Sequence, residues 1–278
     1  STAFWASEVL GFAEHDDRVA RALEHALAAR ADAGELSAHD IALALCASAR
    51  LDEAGTLGED ETTRALCRAA TAKAADFNAH SVSVVFWALG LMRKFHGADE
   101  TRRLVAQLSA AAIRCAAKMN PQMVSNCAWG AARLALAAEP FHDALAAAAD
   151  RHLRRREPTD HHVCNVVWAF AKVEAQGPAV QAHLVAVSEE AQRLERGRPH
   201  HVAGIAWGLA KCFCGGEADV TATAPPPTQV RKAVGVAAAQ ARKAVAVWSP
   251  RELAMVSWAV ARVLAVEEPS LLFPAVVT

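Results

Sequence analysis

The chain has 278 residues and is 53% apolar, mostly Ala, Leu and Val, with seven Trp and no Tyr. Ala and Leu are the strongest helix formers, so composition alone points to an all-α fold with a large core. A formal net charge of −1 excludes a protein held on polyanions or anionic membranes by a global basic field and leaves room only for a local basic face.

In chain order, the first element surrounds Trp5 in FWASEVLGF, and the second, HDIALALCASARL, carries Cys46 in the Trp place. HSVSVVFWALGLM, QMVSNCAWGAARL, HHVCNVVWAFAKV, HHVAGIAWGLAKC and RELAMVSWAVARV follow, anchored on Trp87, Trp129, Trp168, Trp207 and Trp258. Successive anchors lie 41, 41, 42, 39, 39 and 51 residues apart. Such a period marks stacked helical hairpins, none of which can bury its apolar face alone. The long last interval coincides with GGEADVTATAPPPT, residues 215–228, which reads as a loop insertion. Residues 1–278 are therefore expected to form one domain, an α-solenoid of about seven stacked helix-turn-helix repeats of ~39–42 residues.

Ala-rich second helices are expected between the Trp helices, at about 17–31, 58–75, 99–118, 140–155, 178–196 and 227–246. Pro121, Pro199 and Pro250 fall at the first turns of Trp helices, where proline is tolerated. Asp99 and Glu100 open a second helix and complement its dipole. The last unit has no room for its second helix near Phe273-Pro274, so a truncated array or a cap from a partner is expected.

A helical wheel separates three faces of the Trp helix. Positions −5, −2, −1, +2 and +5 from the Trp are bulky and apolar and form the core face. Positions −4 and +3 are small, which permits close approach of a neighbouring helix. Positions −7, −3 and +4 form a narrow polar stripe. Position −7 reads His39, His80, Gln122, His161, His200, Arg251; position +4 reads Arg50, Leu91, Arg133, Lys172, Lys211, Arg262; position −3 is polar only at Asn126 and Asn165.

In the functional reading this stripe faces single-stranded or ribosomal RNA. Arg and Lys would contact phosphates, and Asn or Gln would meet base edges, one base per repeat. The bland reading is a solvated face whose cations complement helix C-termini. The two balance at the basic position. A poor mid-helix residue appearing twice at one register favours function at Asn126 and Asn165. The Trp, beside the stripe, reads as packing between repeats, with base stacking as the alternative. Arg154, Arg155 and Arg156 form the densest basic run, either a solvated helix end or a backbone contact.

His161-His162 and His200-His201 point about 100° apart on a helix and do not converge on one ion, so no metal and no cofactor is expected. The seven cysteines include no CxxC pair, which suits buried thiols in a reducing compartment. No glycine-rich phosphate loop, nucleophile elbow or paired-carboxylate context points to an enzyme. No stretch approaches a membrane span, so partners are expected to be RNA and other subunits of a large complex, without membrane insertion.

PQMVSNCAWGAARL and DHHVCNVVWAFAKV resemble octotricopeptide and heptatricopeptide repeats, whose pattern also occurs in the FAST-kinase-like and RAP-domain group. The resemblance is strongest in four or five units. The family's Ser-Asn pair falls on Ser125-Asn126, while Asn165 keeps only the Asn; its Trp-Ala/Gly element falls on Trp87-Ala88, Trp129-Gly130, Trp168-Ala169, Trp207-Gly208 and Trp258-Ala259. The resemblance implies an organellar RNA-binding protein, mitochondrial or alternatively plastid, in a ribosome or RNA maturation complex. A protein scaffold without RNA contact is the other reading. No RAP-type segment follows the repeats in this sequence, so that domain's nuclease-like activity is not implied, and the neutral charge departs from the usual basic members.

Overall fold

The computed structural model describes residues 17–53, 60–92, 99–215 and 225–264. The element around Trp5 and most of the loop insertion lie outside them. Among the described residues there is no strand; thirteen α-helices and three 3-10 turns make up the regular structure. The chain divides into two compact units, residues 1–136 and 137–278.

Unit 1 contains α1 (Asp17–Asp32), α2 (Ala38–Glu53), α3 (Asp60–Ala72), α4 (Ala79–Leu91), α5 (Asp99–Cys115) and α6 (Pro121–Arg133). The Trp-type helices α2, α4 and α6 pack each on the next, and the second helices α1, α3 and α5 form a parallel row. Unit 2 repeats the plan with α7 (Glu139–Arg154), α8 (Asp160–Lys172), α9 (Pro178–Glu189), α10 (Ala191–Arg196), α11 (Pro199–Cys214), α12 (Thr228–Lys243) and α13 (Pro250–Val263). Here α8, α11 and α13 form the Trp row, and α7, α9 with α10, and α12 form the other. The helix expected over 178–196 is broken at Glu190 into α9 and α10.

Local chemistry starts these helices where it should. Asn78 and Asn120 accept hydrogen bonds from the Ser81 and Met123 backbone N–H groups, satisfying donors a helix start leaves orphaned. Ser249 and Glu252 close a reciprocal capping box on α13, and Pro121, Pro199 and Pro250 occupy first turns.

Packing between Trp helices depends on small residues. A Cβ on Gly130 would lie 2.1 Å from the Phe86 carbonyl oxygen, and one on Gly90 would lie 3.0 Å from both Gly130 Cα and the Trp129 ring. Gly90, at position +3 of its repeat, is thus the seat for the Trp129 indole, and bulk at either glycine would push α4 and α6 apart. Gly208 meets Val167 in the same way in unit 2.

Two repeating features escaped the sequence reading. Ten residues before each anchor stands a buried plug: Leu36, Phe77, Met119, Pro158, Gly197 and Trp248. Trp248, the tryptophan outside the anchor series, finds its role there, 5% exposed. The second feature is a tie to the preceding turn from the end of α3 and from α5, α10 and α12. Lys73 Nζ donates to the Gly34 and Leu36 carbonyls, and Arg114 Nη2 to the Ala75 carbonyl at 3.0 Å. Arg193 Nη1 donates to the Pro158 carbonyl at 2.9 Å, and Gln240 Nε2 to the Gly197 carbonyl at 2.9 Å. These carbonyls lie past helix ends and would otherwise be under-satisfied.

Candidate functional site

The polar stripe is solvent-accessible along both Trp rows. Every −7 residue (His39, His80, Gln122, His161, His200, Arg251) is exposed, and Trp87, Trp129, Trp168, Trp207 and Trp258 are half-buried. The opposite face closes the core, with Val82, Phe86 and Leu89 fully buried on α4 and Val167 and Phe170 on α8.

The stripe residues are not independent. Gln122 Nε2 donates to Asn126 Oδ1 at 2.7 Å, and Asn165 Nδ2 lies 3.2 Å from His161 Nε2. Residues four apart on a helix are neighbours, so each Asn is oriented by the −7 residue one turn earlier. The sequence had the spacing needed to find these pairs.

The +4 cations lie against indoles. The Arg133 guanidinium is 5.2 Å from the Trp129 ring centroid, Lys211 Nζ 5.6 Å from Trp207, and the Arg262 guanidinium 5.4 Å from Trp258. Arg50 reaches forward instead, 6.0 Å from the Trp87 ring. Each contact places positive charge on the negative face of a ring. Arg133 Nε also donates to the Gly90 carbonyl at 3.0 Å, joining α6 to the end of α4. Lys211 Nζ lies 3.5 Å from Glu174 Oε1, so part of its charge is met within the fold. Lys172 is exposed. In unit 2 the Trp207 and Trp258 rings approach to 6.3 Å between centroids.

Histidines gather where α8 and α11 begin. His200 and His201 ring centroids are 3.9 Å apart, and His161 and His201 are 5.6 Å apart. Burial, then the neighbouring rings of His200 and His161, push the His201 pKa down to about 4, so this imidazole is neutral near pH 7. Among the described residues no group of three or more His, Cys, Asp or Glu side chains is placed to hold a metal ion.

The basic run belongs elsewhere. Arg154 Nε donates to Asp150 Oδ2 at 2.8 Å, and Arg155 lies 4.0 Å from Glu157. Arg156 lines a cleft of about 770 Å³ with Arg193 and Lys232, facing Asp160, Glu189 and Glu190. Cations and carboxylates alternate there, which gives no single-sign field for a polyanion.

Several thiols are buried. Burial raises Cys67, Cys164 and Cys212 to about 12 and raises Cys127 as well, far from the thiolate a reactive cysteine needs. No helix among the described residues is long and apolar enough to cross a membrane. No protein-family model matches the chain, and no curated protein matches it.

Proposed function

We propose that this chain is a non-catalytic α-solenoid that binds single-stranded or ribosomal RNA along its Trp-helix face. In this reading it serves in an organelle, mitochondrial or alternatively plastid, as part of a ribosome or RNA maturation complex. The observation that carries the reading is recurrence. The same constellation, an exposed polar −7 side chain, a half-buried indole and a +4 cation, recurs on α6 in unit 1 and on α8, α11 and α13 in unit 2. A ladder of that kind suits an extended ligand with a repeating backbone. The organelle and the complex rest on the resemblance to octotricopeptide-type repeats.

A second reading has its own support. Lys211 is paired with Glu174 and Arg133 is engaged by the Gly90 carbonyl, so two cations are partly used within the fold. A scaffold that docks protein subunits on the same face would need less free positive charge.

Binding of an unstructured oligouridylate across a salt series separates the two. For RNA contact, log Kd against log salt is steep. Replacing Arg133, Lys172 and Lys211 with Ala flattens it by about 2, at roughly 0.7 for each phosphate left without its cation. Lys172→Ala alone is the cleanest single variant because its side chain is exposed. Absence of binding at low salt sinks the RNA reading.

A further inference from the structure

Position −3 of the Trp helix carries an asparagine in two repeats, and the two have different partners. On α6, Gln122 Nε2 donates to Asn126 Oδ1 at 2.7 Å. On α8, Asn165 turns its Nδ2 toward His161 Nε2 at 3.2 Å. At Trp87, Trp207 and Trp258 the same position holds Val84, Gly204 and Met255, none of which carries a side-chain donor.

A primary amide has two ends, an oxygen that accepts and an NH2 that donates. A lone exposed asparagine turns either end outward and so tells bases apart poorly. Gln122 removes that freedom. It is the second residue of α6, at the positive end of the helix dipole, which draws its side-chain oxygen toward the helix start and sends Nε2 one turn onward to Asn126. Asn126 Oδ1 therefore faces Gln122, and Asn126 Nδ2 has no partner among the described residues. Gln122 is exposed and Asn126 half-buried on the accessible stripe, so the group offered outward at this repeat is a donor.

We propose that Gln122 and Asn126 together read a keto base. The Asn126 amide donates to the carbonyl oxygen of uracil or guanine and disfavours the amino group that cytosine and adenine carry at the same place on the ring. This inference rests on the RNA reading of the stripe and adds the class of base that the Trp129 repeat takes. The usual pairing of asparagine with adenine needs the amide oxygen to accept from the adenine amino group. Here Gln122 already holds that oxygen, which leaves only the donor half of the pairing. An amino group set against Asn126 Nδ2 places donor against donor, and both lose their water. Asn126 touches the base; Gln122 is a positioning residue that acts through it. At Trp168 the amide nitrogen is engaged with His161, so the inference is made for the Trp129 repeat alone.

The test titrates the full chain with fluorescein-labelled oligouridylate and oligocytidylate of equal length, at one salt concentration and at a pH where cytosine is unprotonated. Homopolymers place the same base at every register, so the ratio of the two Kd values reads base preference without knowledge of the binding frame. The expected ratio favours oligouridylate by about three- to tenfold, the effect of one hydrogen bond made or missed. Asn126→Asp offers only acceptors and should bring the ratio to one or reverse it. Gln122→Glu keeps Asn126 but gives it an acceptor to face, so Nδ2 turns inward, Oδ1 turns outward and the preference should reverse. Gln122→Ala releases the amide and should abolish the preference with little loss of affinity for oligouridylate. Asp and Glu also repel phosphates, so the ratio rather than the absolute Kd is the readout, and circular dichroism melts verify that the variants stay folded. A wild-type ratio near one, a preference for oligocytidylate, or a preference for oligouridylate that all three variants leave intact would overturn this inference while binding itself upholds the RNA reading. Failure to bind either oligomer at low salt removes both.

Discussion

The two units share one plan in the Trp row and part company in the row behind it. Among the described residues of unit 1 the histidines, His25, His39 and His80, are exposed. Unit 2 buries His142, His152, His183 and His201. His142 and His183 stand edge-on to Phe170 from α7 and α9, at 5.8 and 6.3 Å between ring centroids. Neither ring nitrogen of His183 has a hydrogen-bond partner. In unit 1 the corresponding row is tied by exposed and half-exposed ion pairs, Arg68 with Asp32 and Glu61, and Arg64 with Glu100. The difference teaches that the repeat constrains the indole, its small seat and the plug ten residues before it, while the second helices fill their core as composition allows.

That contrast predicts unequal responses to acid. Burial holds the His183 pKa near 4 in the folded chain against its ordinary 6.5, so the unfolded chain takes up the proton first as pH falls. The contribution of His183 to the stability of unit 2 should be full above pH 6.5, decline through the window, and level off below about 4, by on the order of 3 kcal/mol. Hydrogen exchange of α9 amides compared with α4 amides between pH 7 and 4 measures it; His201 is also held near 4, so His183→Leu should remove its own share of the slope and leave that of His201. Equal acid sensitivity of the two units would erase the distinction.

Next in size is a break aimed at unit 1. Gly130→Ala places a Cβ against the Phe86 carbonyl and should cost about 2 kcal/mol or more, seen as a lower urea midpoint. A methyl added at Gly235 in unit 2 would meet nothing within 4 Å, and Gly235→Ala should instead raise stability by about 0.5–1 kcal/mol. Between these, Lys73→Ala and Gln240→Ala each remove one tie and should cost about 1 kcal/mol in their own unit. The smallest effect belongs to Arg154→Ala, whose exposed pair with Asp150 should leave the melting temperature unchanged.

Much of this architecture was legible beforehand because the indole is rare and recurs at one register. The wheel placed His80, Gln122, His161, His200 and Arg251 on the exposed face, where they are. What it missed has a physical cause. The plug changes identity from Leu to Phe, Met, Pro, Gly and Trp, since only burial is required of it. The ties use Lys, Arg and Gln alike, since any long donor reaches a carbonyl. Arg133, Lys211 and Arg262 looked like free cations because residue spacing does not reveal a ring face one turn away.

Those ties also bear on how such a chain could grow. Each reaches back to the turn of the repeat before it, between 35 and 43 residues earlier; Lys73, Arg114 and Gln240 meet backbone carbonyls there, and Arg193 adds the Asp160 carboxylate to its carbonyl. A duplicated hairpin therefore arrives with its fastening already attached and finds a receptor on any neighbour, whatever that neighbour's side chains have become. Lineages can lengthen or shorten such an array by whole hairpins while each surface residue drifts on its own schedule.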